Sequence, residues 1–440
     1  MTRFHLTRRT FLKGAAAAAA APLVVPSHLF GANAPSNTLA VGSIGTGRMG
    51  HGDMRNALYQ GLDESAGARL VAVCDLDLDR ARHAKADVEK RYKERNIQAT
   101  VDAYQDFREL LARAPLDAVT ISTPDHQHAL CAVAAAEAGK HMYLQKPFTY
   151  SVVEGRKLVQ AVRAGKVVLQ TGSQQRSDIR FRKACELVRN GYLGKLKTIE
   201  VVVPTDHGKG DPTPMPVPEN LNYDMWLGPT PVAPYTQDRV HPQKGFGRPG
   251  WLQIEAYCRG MITGWGAHMY DIAQWALGVD RDGGPVRISA TAEFPDRGLF
   301  DVHVGYKAEA EYANGVKLIS HNGGAGVKFI GDRGWLWVAR GNWKAEPEDI
   351  LRTKLADGDV RLPESKNHMR NFLQCCRTGK DPVAPAEAGH RSNTVCVLHH
   401  IAMKHQGKTL TWDPEAERFT GDSTDANAML DYPHRKPWTV

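Results

Sequence analysis

No Cys-x-x-Cys pair occurs in the 440 residues, although there are seven cysteines: Cys74, Cys131, Cys185, Cys258, Cys375, Cys376 and Cys396. Structural zinc centres and thioredoxin-type redox centres use that spacing, so neither is indicated. An odd count leaves at least one thiol unpaired within the chain, and the cysteines read mostly as small buried apolar residues. Internal repeats and long low-complexity tracts are absent. A strong charge of either sign is absent too. The formal net charge is +8, and half of it comes from Arg3, Arg8, Arg9 and Lys13 in the first 34 residues, which contain no acid. The mild excess left on the rest does not argue for a nucleic-acid partner. The apolar run Ala15–Val25 is short of the roughly 20 residues that cross a bilayer as a helix, so no stable membrane anchor is expected.

What stands in that segment is "TRRTFLKG" followed by an alanine-rich run. Paired arginines before a short, weakly hydrophobic stretch read as a twin-arginine export signal over residues 1–34, with a periplasmic or otherwise exported location. Ala32-Asn33-Ala34 has the small-residue pattern of a cleavage site, and no lipidation cysteine lies nearby. The remaining length, about 400 residues, suggests two domains: a dinucleotide-binding domain over 35–171 and a second domain over 172–440.

From Leu39 the chain alternates strands and helices, with strands at 39–44, 70–74, 118–122, 141–144 and 167–170. Helices are expected at 48–59, 77–95, 124–139 and 151–164. This alternation predicts a doubly wound parallel sheet. Gly45-Thr46-Gly47-Arg48-Met49-Gly50 lies at the first strand-to-helix turn, and Asp75 closes the second strand 25 residues past Gly50. In that context the glycines let the backbone approach a pyrophosphate at a helix N-terminus, and the acid meets the ribose. NAD is therefore the expected cofactor, a carboxylate at Asp75 disfavouring a 2′-phosphate.

Beyond Gly172, "LKTIEVVV" (196–203), residues 301–319 and "KFIGDRGWLWVA" (328–339) suggest strands of a large, mainly antiparallel open sheet. Helices at 179–190, 269–277 and 368–377 are expected to cover one face of it. "GKGDPTPMPVPENLNYD" (208–224) is expected to rim a substrate cleft. His126-Gln127-His128, with Asp125, has the look of a metal pair, but no further ligand falls at a known spacing and no metal is expected.

Taken together, the first-turn glycines, "TPDHQH", "KP", "TGSQQR", "NYDMWLGP", "GAHMYDIAQWALG", "GDRGWLWVARG" and "TLTWDPEAERFTGD" resemble the Gfo/Idh/MocA oxidoreductases, in a bacterial branch that commonly carries twin-arginine signals. The resemblance implies that Lys146 in "QKP" is the acid–base residue beside the nicotinamide. Gln145 stands where the family usually has glutamate. It implies that His268 is the histidine of an Asp-x-x-x-His element, with Gly264 in place of the aspartate. Either Asp271, Glu255 or Tyr257 is then expected to substitute, Asp271 sharing a helix face with His268, or the chemistry is altered. Thr123, Pro124, His128 and Gln145 are expected to line the cofactor, with Gln174, Arg176, Tyr223, Trp226, Tyr257 and His268 toward the substrate. The resemblance further implies a sugar or cyclitol substrate and a homo-oligomer, dimer or tetramer, formed through the free face of the large sheet.

An exported dinucleotide enzyme meets little free NAD outside the cell. The sequence therefore favours a tightly held, internally recycled cofactor, with residues 31–38 as an arm over its adenine side. A glycoside hydrolase or lyase working by transient ring-hydroxyl oxidation, and a non-catalytic sugar binder, are the alternative readings.

Overall fold

The computed structural model describes residues 38–63 and 65–440; the export signal over 1–34 and all but the last residue of the arm expected over 31–38 lie outside them. Two sheets organise the described residues. The first contains β1 (Leu39–Ile44), β2 (Ala68–Cys74), β3 (Asp102–Tyr104), β4 (Ala118–Ile121), β5 (His141–Leu144) and β6 (Leu169–Thr171). Its order is β3-β2-β1-β4-β5-β6, and every pair is parallel. β4 is apolar and buried at every position apart from the Thr120 hydroxyl, which bonds to Ser43. Strands covered on both faces need such continuous runs. The crossovers are α1 (Arg48–Gly61), α2 (Leu78–Lys93), α3 (Phe107–Arg113), α4 (His128–Glu137) and α5 (Val152–Gly165). The order reverses between β1 and β4, and open α/β sheets bind their ligands at that point, beyond the carboxyl ends of the strands.

The helix starts differ in a way that bears on function. α2 is capped by Asp77, whose side chain accepts from the amides of Asp79 and Arg80, and α5 opens with a Ser151–Glu154 capping box. α1 begins after Gly47 with no side-chain cap, so its first amides are left for a ligand.

The second sheet has nine strands: β7 (Leu196–Val203), β8 (Pro285–Glu293), β9 (Gly305–Tyr312), β10 (Lys317–Asn322), β11 (Gly326–Gly331), β12 (Trp335–Ala339), β13 (Asn342–Glu346), β14 (Leu410–Asp413) and β15 (Arg418–Thr420). Their order is β13-β12-β11-β7-β10-β9-β8-β14-β15, antiparallel except at β7–β10. Alternate residues such as Ile199, Val201 and Val203 face a core shared with α6 (Ile179–Arg189) and α7 (Gly266–Leu277). The helix expected at 368–377 forms, as α8 (His368–Thr378), but it does not cover this sheet. Its Met369, Phe372 and Leu373 pack with Val41, Met54 and Tyr143 of the first sheet's layer. The long α9 (Ala386–Lys404) runs against α5, α7 and β8 and so joins the two layers.

Candidate functional site

A cavity of about 540 Å³ opens at the carboxyl ends of β1 and β4 and extends toward α7. One end is the glycine turn. Gly45 has φ +80° and sits so close to the next strand that a Cβ would meet the Ser122 carbonyl oxygen at 2.7 Å; a Cβ on Gly50 would lie 1.8 Å from the Gly45 carbonyl oxygen. Only glycine fits at either place. Gly45, Gly47, Arg48, Met49 and Asp75 line the cavity. Thr46 and Gly50 stand behind it: the Thr46 amide and hydroxyl donate to Asp75 Oδ2 at 2.8 and 3.1 Å. The cradle of bare backbone, an uncapped helix start and a carboxylate at the end of β2 fit the pyrophosphate and ribose of a dinucleotide.

A segment from the second half of the chain closes this end. His241 pairs with Asp77 at 3.0 Å, and Arg80 donates to the carbonyls of Pro242 and Gly245 at 3.0 and 3.3 Å. Phe246 lies against His51 with ring centroids 4.8 Å apart. Arg80 is thus occupied in holding this segment. Of the loop at 208–224, the Asn220 side chain and carbonyl bind the start of α2, through Asp77 and the Leu78 amide. The rim of the cavity is instead formed by Gly247, Arg248, Pro249, Trp251 and Leu252.

At the other end, Thr123, Pro124, Asp125, Gln145, Lys146, Gln174, Trp226, Gly264, Trp265, His268 and Arg340 share the lining. Burial lowers the Lys146 pKa, opposed in part by Asp125. The Asp125 carboxyl is pushed up to about 7 by burial, and one of its oxygens has no hydrogen-bond partner. Desolvation thus moves both groups toward neutrality. Gln145 spans to a second acid: its Nε2 donates to Asp53 Oδ2 at 2.9 Å, and burial raises Asp53 to about 6. The carboxylate missing from position 145 is therefore present one side chain further on, from α1. The His268 pKa is lowered by burial first, then by the nearby positive charges of Lys146 and Arg340, and its Nδ1 is buried without a partner.

Several expected site residues lie elsewhere. Arg176 and Asp271 are fully buried against each other, with bidentate contacts of 2.8 and 2.7 Å, and Asp280 completes the cluster at 2.9 Å. The buried guanidinium needs both acids, and this draws Asp271 away from His268. Glu255 is likewise engaged, with His400 at 3.0 Å and with Lys404. Tyr257 packs behind Trp226, ring centroids 4.8 Å apart, and Tyr223 donates to the Ala233 carbonyl; neither lines the cavity. His128 bridges two turns through the carbonyls of Pro147 and Thr123 at 2.7 and 3.1 Å, so it shapes the wall without facing the cavity. His126 bonds to the Trp226 carbonyl and packs on Tyr257. No cluster of metal-ligating side chains occurs among the described residues, and no helix among them is long and apolar enough to cross a membrane.

Asp53, Arg248 and Arg340 were not singled out from the sequence, and Asp125 was weighed there only as a companion of the pair His126 and His128. Only Asp125 carried a signal, its place in the turn after β4.

Residues 39–173 match the oxidoreductase family's NAD-binding Rossmann fold and residues 185–440 its C-terminal alpha/beta domain; residues 5–25 match a twin-arginine translocation signal sequence. Myo-inositol 2-dehydrogenase of Thermotoga maritima is 30% identical over 179 residues, which is 41% of this chain and 47% of that one. Inositol 2-dehydrogenase 3 of Saccharopolyspora erythraea is 34% identical over 36% of this chain and 42% of its own. The match thus spans less than half the length of these curated relatives. Among solved structures, an aldose-aldose oxidoreductase from Caulobacter crescentus, complexed with glycerol, aligns over 85% of this chain and 99% of its own, with 18% identity and a TM-score of 0.61. A scyllo-inositol dehydrogenase from Lactobacillus casei, with bound NAD(H) and scyllo-inositol, aligns over 85% and 99%, with 17% identity and a TM-score of 0.58. At those identities the structures speak for the fold alone. The two family matches together take in nearly the whole of the described chain, and the protein is a member of the Gfo/Idh/MocA oxidoreductases with an NAD-binding Rossmann domain.

Proposed function

We propose that this protein is an NAD-dependent oxidoreductase acting on a CH–OH group of a sugar or cyclitol. The observation that carries the reading is one cavity running from the glycine cradle to a desolvated lysine, an acid and a histidine. NAD bound in the cradle supplies a hydride acceptor for the carbon that bears the hydroxyl.

Lys146, poised toward its neutral form, takes the hydroxyl proton and returns it in the reverse direction. Asp125, beside it with a free oxygen, receives or restores that proton. His268 remains neutral and serves as a hydrogen-bonding wall for the substrate. Trp251 and Trp265 offer flat faces to the C–H surfaces of a ring.

A cofactor recycled in place, in an exported protein, is part of this proposal. It rests on the twin-arginine signal, which moves folded chains, and on the 241–245 segment fastened over the cofactor end. Such a cycle also accommodates redox-neutral cleavage of a glycoside. Oligomerisation through the open face of the second sheet belongs to the same proposal; Ile319 lies 41% exposed there.

The test is to denature the purified protein, identify the released nucleotide, and then follow its redox state in the native protein as sugars and cyclitols are added. Reduced nucleotide with an oxidised sugar supports the reading. Aglycone release at constant nucleotide redox state selects the redox-neutral cycle, and a protein purified free of nucleotide that exchanges NAD freely removes the recycled cofactor.

A further inference from the structure

The substrate end of the cavity has an unusual charge balance. Lys146, Arg248 and Arg340 line it, and Asp125 is its only acid, Asp75 lying at the cofactor end. Of the two buried arginines among the described residues, Arg176 is paired with acids and Arg259 donates to the Tyr150 carbonyl; Arg248 and Arg340 are exposed side chains on the cavity wall. Arg340 and Arg248 make no ion pair with any acid among the described residues. Arg340 is presented at the tip of the β12–β13 hairpin, its guanidinium 4.8 Å from the Trp265 ring centroid. The ring attracts the cation there, and the guanidinium donors have no hydrogen-bond partner among the described residues. Arg248 makes a single hydrogen-bond contact among the described residues, to the Met261 sulfur at 3.5 Å. The Asp206 carboxylate, which lies near it, already accepts from the Met261 amide at 2.6 Å and from Gln253 at 2.7 Å.

The place of the missing aspartate completes the picture. A Cβ on Gly264 would meet the Met261 methyl at 3.1 Å. The space that an acid at this position would enter is filled by a thioether with a guanidinium on it. The site has exchanged a negative charge for positive ones at the same wall.

We propose that the substrate of this site is an anionic sugar, whose carboxylate or phosphate is read by Arg340, with Arg248 as the second cation. The proposal rests on the oxidoreductase reading for its sugar class, while its charge argument stands on the cavity alone. The glycine cradle, with Arg48 at the start of α1, holds the pyrophosphate at the far end, so the two arginines beside Trp265 and Met261 serve a different anion. A planar guanidinium held on an indole recognises a carboxylate through two parallel N–H···O bonds, and a phosphate through the same donors. No bond is made or broken in this step; Arg340 and Arg248 are specificity residues.

The protein as purified, with its nucleotide, is titrated with D-glucuronate, D-glucose 6-phosphate and D-glucose. Binding is read by calorimetry and tryptophan fluorescence, and nucleotide reduction by absorbance in the same samples. At least one anionic sugar is expected to bind tenfold or more tightly than glucose, as about one charge-assisted hydrogen-bond pair provides. In Arg340→Met the preference falls to within about twofold, with nucleotide content and thermal midpoint unchanged; Arg340→Lys restores part of it. Whichever of glucuronate and glucose 6-phosphate binds more tightly identifies carboxylate or phosphate as the recognised group. Equal binding of all three sugars, binding of none, or a preference that survives both Arg340→Met and Arg248→Met overturns the inference. Anion-selective binding without nucleotide reduction leaves the inference standing and removes the oxidoreductase reading. Equal binding with reduction by every sugar does the reverse.

Discussion

The two ends of the cavity are built on different principles. At the cofactor end the backbone does the recognising: Gly45 and Gly50 admit no Cβ, α1 starts uncapped, and Asp75 is held by the Thr46 amide. Few side chains are free to vary there without closing the cradle. At the substrate end the lining comes from side chains of seven separate stretches: 123–125, 145–146, 174, 225–226, 248–252, 261–268 and 340. Here Gln145 and Gly264 depart from the family pattern, and acids and cations from other elements have moved in. A backbone-built subsite resists change, whereas a side-chain-built one can change its chemistry within the same fold.

That contrast can be broken at its sharpest point with Lys146→Met. The hydride step is expected to slow roughly 10²–10⁴-fold, while the nucleotide content of the purified protein stays the same, because the cradle is untouched. Single-turnover absorbance of the bound nicotinamide measures it, and near-native turnover would move the proton to another residue.

Arg176→Met tests whether Arg176 is structural and not part of the substrate end. It leaves Asp271 and Asp280 buried without their cation, which costs about 3–5 kcal/mol. Chemical denaturation should show that loss with nucleotide still bound to the folded fraction. A full-stability variant with weakened sugar binding would return Arg176 to the site.

The pH dependence sharpens the comparison further. Asp125 has its pKa raised by burial to about 7 from an ordinary value of 3.8. The native state therefore binds this proton more tightly than the unfolded chain does. The stability it contributes is fully present below pH 3.8 and is lost as pH rises through about 7. Across that window the loss is on the order of 2–4 kcal/mol. Asp125→Asn should flatten this part of the stability curve between pH 4 and pH 8, read as the difference between the two proteins in urea unfolding at each pH; parallel curves would place the proton elsewhere.

The smallest effect is expected at the cofactor end. Asp75→Ala should weaken NAD(H) by about 1–2 kcal/mol, the order of a lost hydrogen bond to a charged group. NAD(H) should bind more tightly than NADP(H) in the unchanged protein, by calorimetry on nucleotide-stripped material. The reverse order would deny Asp75 its ribose contact.

Local signals reached the first sheet almost intact. β1, α1, β4 and β5 could be read because strands buried on both faces are short apolar runs and the glycine turn marks where one ends. The 19-residue helix α9 left no such trace. Apolar and polar residues alternate around its whole circumference, since it is buried on nearly every side between two layers, and His390, Asn393 and His400 find partners at a distance in sequence. The second sheet was legible as β-branched runs, but not its strand order.

The sequence by itself determined the glycine cradle and the parallel sheet, while the meeting of Lys146 and His268 was reached only through the family resemblance. The cradle and the sheet depend on contacts between residues near in the chain, or on backbone conformations that only glycine adopts. Tertiary structure decided which charges meet. Asp271 lies three residues from His268 on the same helix, yet Arg176 claims it across 95 positions. Arg340 arrives at the same wall as His268 from the β12–β13 hairpin tip, far along the chain. A buried charge is placed where its partner is, and no local pattern in the sequence records that partner.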